Sequence, residues 1–158
     1  MIDIQVQIND FDIGVEQKFA RGIGFDIGAL VLFVGLVRDF QDERKLIELE
    51  LEHYPGMTEK ALLTICESAK SRWDLKFVKV IHRYGKLSLG DQIVMVMVAS
   101  KHRKAAFDSA NFIMDFLKSR APFWKKEATL ESQKWVDADE LDEVRLSEWV
   151  IKKKKESN

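Results

Sequence analysis

Met114–Glu127 reads Met-Asp-Phe-Leu-Lys-Ser-Arg-Ala-Pro-Phe-Trp-Lys-Lys-Glu, and the rest of the chain is organised around this stretch. An amphipathic helix enters it and ends at Ala121-Pro122, because proline disfavours helical geometry in the residue before it. Two interpretations of the segment after the proline are open. Either the cations sit at a helix C-terminus, where the helix dipole favours them, and the aromatic pair Phe123-Trp124 anchors an edge strand. Or the rings and the cations Lys118, Arg120, Lys125 and Lys126 form a site.

The composition is that of a globular protein, with 158 residues, 46% hydrophobic and 32% charged. This length predicts a single domain over residues 1–158, with a basic, solvated tail from about residue 150 that carries Lys152–Lys155. The net charge of -1 favours neither a nucleic acid nor a membrane as partner. A single cysteine, no apolar run of membrane-spanning length and no signal-peptide core predict a cytoplasmic protein.

Hydrophobic periodicity predicts an α+β fold with a mixed or antiparallel sheet. Gly28–Val37 is apolar on both faces and predicts a central strand that ends at Arg38. Lys45–Tyr54 alternates leucine or isoleucine with glutamate, which is typical of a strand with one wet face. Further strands are predicted over Ile2–Ile8, Phe77–Tyr84, Gln92–Ala99 and Trp135-Val136.

Two main helices are predicted to pack on this sheet. Thr58 is expected to cap the first, and Ser100 is expected to cap the second, which runs from Lys101 to Ser119. The segment Asp12–Phe25 is ambiguous and predicts at most one short helix closed by glycine. A final helix leads into the basic tail.

The side chains that most often carry chemistry give little support for a nucleophile or a metal site. Cys66 lies on the apolar face of the first main helix, without a basic neighbour, which predicts a buried and inert thiol. His53, His82 and His102 lie on three separate elements without ligand spacing, so no metal site is predicted. His53 and His82 are expected to be packed strand residues.

Two groups of basic residues are better candidates. Lys101–Lys104 opens the second main helix, where cations oppose the dipole but can hold an anion together with free backbone N–H groups. His102 and Arg103 are therefore candidate anion-binding residues, although outward-pointing charge remains an alternative. Arg38 emerges at the end of its strand, either to bind an anion or to pair with Asp39 or Glu43.

The length of the second main helix limits how these cations combine. His102 and Lys118 are sixteen residues apart, which places their Cα atoms about 24 Å from each other. One small substrate cannot comfortably touch both ends. We therefore expect a homodimer with composite pockets, in which the start of this helix in one copy meets its end in the other.

Several sequence blocks resemble one known family. These blocks are Leu51–Lys60 with His-Tyr-Pro-Gly-Met, Ile81–Arg83, Gly90-Asp91, His102-Arg103, Phe112–Asp115 and Arg120–Glu127 with Arg-Ala-Pro-Phe-Trp-Lys. In matching order over about Gly28 to Ala138, they resemble the large, catalytic subunit of molybdopterin synthase, the MoaE family. The resemblance implies an α/β hammerhead type of fold and a sulfurtransferase of molybdenum cofactor biosynthesis that uses no cofactor of its own.

In that family, cyclic pyranopterin monophosphate receives two dithiolene sulfurs and becomes molybdopterin. The sulfur arrives as a thiocarboxylate on the Gly-Gly tail of a small ubiquitin-like subunit, and the two subunit types form a heterotetramer. The resemblance thus explains how a sulfurtransferase can have an inert cysteine: the partner carries the reactive sulfur.

Carried over by position, the resemblance assigns catalysis to Lys118, as a proton shuttle, and to Lys125. It assigns substrate binding to Arg38, His102, Arg103, Lys118, Lys125, Lys126 and Glu127. Leu36 and Asp139 stand where many relatives carry cations, which puts substrate affinity in doubt. An alternative function is therefore a homologue that binds the ubiquitin-like partner without turnover. A generic phosphate-binding domain is disfavoured because the chain has no glycine-rich phosphate loop.

Overall fold

The computed structural model describes residues 1–38, 40–41, 44–129, 133–136, 144, 147 and 149. In chain order its elements are β1 (Ile2–Gln7), α1 (Ile13–Arg21), β2 (Ala29–Leu36), β3 (Phe40–Gln41), β4 (Arg44–His53), α2 (Met57–Arg72), β5 (Leu75–Arg83), β6 (Gly85–Ser88), β7 (Gln92–Ser100), α3 (Arg103–Arg120), β8 (Phe123–Thr129) and β9 (Gln133–Val136).

The strands form two sheets. The first has the order β1-β5-β7-β2, with β1 parallel to β5 and the other neighbours antiparallel. The second has the order β3-β4-β8-β9, with β6 also paired to β4. The chain passes directly from β5 in the first sheet to β6 in the second, with Tyr84 between them. The predicted α+β class with a mixed sheet is confirmed.

The two faces of the first sheet are covered by different helices. Alternate residues of β5 and β7, such as Val80 and Val96, pack against Leu62 of α2 and Ile113 of α3 in the largest core cluster. The residues between them form the core on the other face, where α1 contributes Ala20. The pattern follows from the strand period of two, which sends successive side chains to opposite faces. The ambiguous segment thus folds as one short helix, capped by Asp12.

β2 corrects the prediction of a central strand. It lies at the edge of the first sheet, and its second edge has no strand neighbour among the described residues. Its side chains are only partly covered, with Phe33 39% exposed and Leu36 55% exposed. An apolar pattern on both faces predicts burial of a strand but does not say whether its own chain supplies that burial.

Both predicted helix caps are wrong, because the residues at the cap positions are Gly56 and His102. The cap of α2 is Gly56, whose N–H donates to the Glu59 carboxylate at 2.6 Å. The Thr58 hydroxyl lies inside the helix start, 3.0 Å from the Tyr54 carbonyl and 3.3 Å from the Pro122 carbonyl. α3 begins at Arg103, and the Ser100 hydroxyl donates to the Asp74 carbonyl at 3.0 Å.

The C-terminal predictions are tested only in part. The strand at Trp135-Val136 is confirmed as part of β9. Of the predicted final helix, residues 144, 147 and 149 are described, and they are helical. The Lys152–Lys155 run lies outside the described residues. No helix within the described ranges is long and apolar enough to cross a membrane.

Lys79 joins three elements through a nearly buried ion-pair network. Its Nζ lies 2.9 Å from Asp3 of β1 and 2.6 Å from Glu16 of α1, and its side chain is 6% exposed. Lys76, nearer the start of the same strand, pairs instead with the exposed carboxylates of Asp26 and Asp74.

Lys79→Ala should lower the free energy of unfolding by about 3 kcal/mol, because it leaves two partly buried carboxylates without their cation. Lys76→Ala is the matched control and should change stability little, since exposed ion pairs are screened by water. Urea unfolding of both variants measures the difference. Equal losses for the two would contradict the structural role of Lys79.

Candidate functional site

α3 separates the predicted basic residues into two groups. His102 is its N-cap and Arg103 its first residue, and both side chains are exposed. Lys118 and Arg120 lie in its last turn. An 18-residue helix is about 27 Å long, so one copy of the chain does not bring His102 and Lys118 together.

Arg38 lies at the same end of the first sheet as Lys118. Leu36 is opposite Gln92 at the start of β7, and the Val37 N–H donates to the Asp91 carbonyl at 2.9 Å, so Arg38 follows at this end. α3 leaves the other end of β7 and returns across it. Phe123, three residues after α3, stacks on His82, which is opposite Val94 near the start of β7.

The two sheets meet at this end of the first sheet. Val37, Leu49, Leu51 and Leu87 form a small buried cluster, with Tyr84 and Ile93 packed against it. Leu49 and Leu51 come from β4 of the second sheet, whereas Ile93 belongs to β7 of the first. We call this place, defined by those six residues, the sheet joint.

β8 contributes Lys125 to the sheet joint. Lys125 is opposite Leu51 in the antiparallel register and is half-buried. Directly opposed residues of antiparallel strands project from the same face. Lys125 therefore lies on the face that carries the buried leucines. Glu127 is opposite Leu49 in the register of these strands, and its side chain lies outside the described part of the structure.

Lys126 lies on the opposite, outer face of β8. Its Nζ is 3.7 Å from the Glu50 carboxylate and 5.7 Å from the centre of the Trp135 ring. Trp124 is on this outer face too and is 47% exposed. The strand period therefore does not favour the predicted grouping of Lys126 with Lys125 in one pocket. β8 also runs between β4 and β9, so the edge-strand interpretation of this segment is wrong.

Arg38 is exposed at the end of the first sheet. The alternative ion-pair partners considered from the sequence, Asp39 and Glu43, lie outside the described residues. Among the residues that are described, no three histidine, cysteine or carboxylate side chains approach closely enough to bind a metal ion together.

Four rings pack together beside the sheet joint: His53, His82, Tyr84 and Phe123. The His82 and Phe123 rings stack with their centres 3.7 Å apart, and His53 lies 4.3 Å from Tyr84 and 6.3 Å from Phe123. We call these four residues the ring cluster. His53, His82 and Phe123 come from three separate blocks of the family resemblance, but no local signal predicts that these blocks meet. Only the pairing of β4 with β8 sets His53 opposite Phe123.

His82 is confirmed as a packed strand residue. It is 5% exposed, and its Nδ1 lies 2.8 Å from the Arg83 carbonyl. A carbonyl only accepts, so Nδ1 carries the proton and donates it. Burial lowers the pKa of His82 to about 4, despite this hydrogen bond.

Cys66 is fully buried in the main core cluster. Burial raises the pKa of its thiol to about 12, and the nearby Glu67 acts in the same direction. The thiolate is the nucleophilic form of cysteine. Cys66 is therefore inert near neutral pH, as predicted, and any sulfur transferred at this site comes from another molecule.

The family model described as MoaE protein matches residues 6–120. The chain belongs to the MoaE family. Among its relatives, the molybdopterin synthase catalytic subunit of Ralstonia nicotianae is 54% identical over 151 residues, which cover 96% of this chain and 86% of the relative. The catalytic subunit from Vibrio cholerae is 51% identical, and the match covers 92% of this chain and 97% of the relative. The resemblance drawn from the sequence is confirmed, and the chain is an enzyme of molybdenum cofactor biosynthesis.

Solved structures of this family share the fold. The molybdopterin biosynthesis MoaE protein from Burkholderia ambifaria is 48% identical with a TM-score of 0.82, over 94% of this chain and 98% of that one. Molybdopterin synthase from Staphylococcus aureus is 31% identical with a TM-score of 0.78, over 84% of this chain and 96% of that one.

His82 should make the stability of this enzyme pH-dependent. The unfolded chain binds a proton at an ordinary histidine pKa of about 6.5, whereas folded His82 binds one only near pH 4. The free energy of unfolding should therefore fall by about 3 kcal/mol through His82 as the pH drops between these values. Urea unfolding of wild type and His82→Phe above and below this range isolates the contribution. Parallel pH profiles for the two proteins would contradict it.

Proposed function

We propose that this MoaE-family chain transfers sulfur to cyclic pyranopterin monophosphate from the thiocarboxylate of a small ubiquitin-like carrier subunit. The proposal is supported by Arg38 directly after Val37 of the sheet joint, Lys125 opposite Leu51 of the same joint, and Lys118 in the last turn of the helix that leads into β8, in a chain whose one thiol is inert. A site with cations but without its own nucleophile suits an enzyme that binds, orients and moves protons while another molecule supplies the sulfur.

Each cation has a role that its chemistry supports. Arg38 is suited to the substrate phosphate, because a guanidinium matches phosphate oxygens with two parallel hydrogen bonds. Lys125, half-buried beside Leu51, is suited to the negatively charged thiocarboxylate. Lys118 moves the proton that accompanies opening of the cyclic phosphate, where charge develops on the leaving oxygen.

The site is composite in this proposal, built from two copies of the chain. His102 and Arg103 adjoin the start of β2, since Ser100 is opposite Ala29, whereas Arg38 follows the end of β2. An antiparallel approach of two β2 edges about a two-fold axis sets the start of one strand beside the end of the other. His102 and Arg103 of the second copy then complete the pocket around Arg38 and Lys118. The uncovered Phe33 and Leu36 on β2 support such an interface.

With one carrier at each of the two pockets, the assembly is a heterotetramer acting in the cytoplasm. A chain of the same fold from Helicobacter pylori, 20% identical with a TM-score of 0.68, occurs in a complex of subunits 1 and 2 of molybdopterin-converting factor. Glu127, two residues after Lys125 on β8, is proposed as a further pocket residue. Lys126 lies on the outer face of β8 and is not part of the proposed pocket.

The direct test incubates the protein with thiocarboxylated carrier and cyclic pyranopterin monophosphate, and measures the dithiolene product. Lys118→Ala should lower turnover by about 10²–10⁴-fold, because it removes the proton-transfer group. Lys86→Ala, which removes an exposed lysine paired with Glu48 on the outer face, is the matched control and should retain activity. Turnover by Lys118→Ala close to wild type would contradict the role of Lys118. A wild-type protein that binds the carrier but makes no product would favour a binding module without turnover.

A further inference from the structure

His53 has a polar atom that the fold leaves without a partner. Its ring packs against Tyr84 and Phe123 in the ring cluster, and its Nδ1 is shielded from solvent without a hydrogen bond to any described residue. In the same cluster, Nδ1 of His82 bonds the Arg83 carbonyl. A buried polar atom without a hydrogen bond costs free energy, so its presence calls for an explanation.

A second shielded polar atom without a partner among the described residues lies at the same end of the molecule. It is the hydroxyl oxygen of Ser119, next to Lys118 in the last turn of α3. The two atoms belong to elements that converge on the start of β8, since α3 leads into Phe123 and His53 is opposite Phe123. Both shielded atoms therefore lie at the end of the molecule where α3 leads into β8, the end that also holds the sheet joint.

We propose that His53 is a further binding residue of this site, and that its Nδ1 hydrogen-bonds a backbone amide of the carrier's C-terminal glycine tail. This inference rests on the proposed function, in which Lys125 holds the thiocarboxylate at the end of that tail.

The spacing along the sheet supports the tail as the ligand. His53 is opposite Phe123, and Lys125 is two residues further along β8 on the same face, which makes His53 and Lys125 diagonal neighbours. Diagonal neighbours lie about 7–8 Å apart, and an extended chain advances about 3.3 Å per residue. A tail whose end reaches Lys125 therefore passes His53 about two residues earlier, within the Gly-Gly segment. The substrate phosphate lies instead toward Arg38, at the end of β2.

Glycine suits this position for a physical reason. The walls of the ring cluster are flat side chains, and a tail without Cβ atoms can bring its backbone directly against them. The hydrogen bond between His53 Nδ1 and the tail backbone prevents the tail from sliding further into the pocket or out of it. The thiocarboxylate is thereby held at a set distance from the substrate.

The test is carrier binding by calorimetry to wild type and to His53→Phe, which keeps a flat ring but removes both nitrogens. Binding should weaken about tenfold, the worth of one hydrogen bond, while the stability of the free protein is unchanged or higher. His53→Asn should recover most of the affinity, because its amide offers a donor and an acceptor near the place of Nδ1. Carrier lacking its last two glycines should bind wild type and His53→Phe equally.

The outcomes separate this inference from the proposed function. Lys86→Ala, which removes an exposed lysine on the outer face of the second sheet, is the control and should keep carrier affinity. The role of His53 alone would be overturned if His53→Phe bound the carrier as tightly as wild type. It would also be overturned if His53→Phe weakened binding of the carrier without its two glycines as much as binding of the full-length carrier. A higher KM for the pterin with normal carrier binding would also overturn it. Failure of the wild-type protein to bind the carrier would overturn the proposed function and the inference together.

Discussion

The stacking of Phe123 on His82 fixes where the end of α3 meets the two sheets. Pro122 ends the helical geometry, the Thr58 hydroxyl contacts the Pro122 carbonyl, and β8 begins at once with the stacked ring. Because α3 starts at the opposite end of β7, the helix becomes a rigid spacer of about 27 Å between two basic groups. In the proposed function, His102 and Arg103 of a second copy of the chain complete the pocket around Arg38 and Lys118.

In the proposed function, the carrier supplies the reactive sulfur and this chain supplies the binding pocket. The fold buries its one thiol against the main core, where the thiolate does not form near neutral pH, and it places Arg38 directly after Val37 and Lys125 opposite Leu51 of the sheet joint. A carrier that arrives with an activated sulfur needs a pocket that receives a thin tail and neutralises negative charge. In the proposed function these two tasks fall to His53 and Lys125, which are diagonal neighbours on one face of the second sheet.

Much of this architecture is predictable from local sequence, and the failures have identifiable physical causes. Helical spacing predicts both main helices. The residue types Thr58 and Ser100 predict their caps, but in the structure both hydroxyls donate to carbonyl groups that folding brings near. β2 is apolar on both faces, yet the sequence does not show whether its own sheet or a second copy covers it. The separation of Lys125 from Lys126 follows from strand alternation once β8 is known to be a strand. The meeting of His53 with Phe123 depends on a pairing between distant segments and has no local signal.

Mixing two inactive variants tests the composite site most directly. Lys118→Ala and His102→Ala are each purified, unfolded, mixed in equal amounts and refolded, and the turnover of cyclic pyranopterin monophosphate is measured with thiocarboxylated carrier. If the ends of α3 from two copies share a pocket, half of the dimers are mixed and each has one intact pocket, so roughly a quarter of wild-type activity should return. If Lys118 and His102 serve a pocket within one copy, every pocket in the mixture lacks one of them. Activity that stays at the level of the separate variants would contradict the composite site.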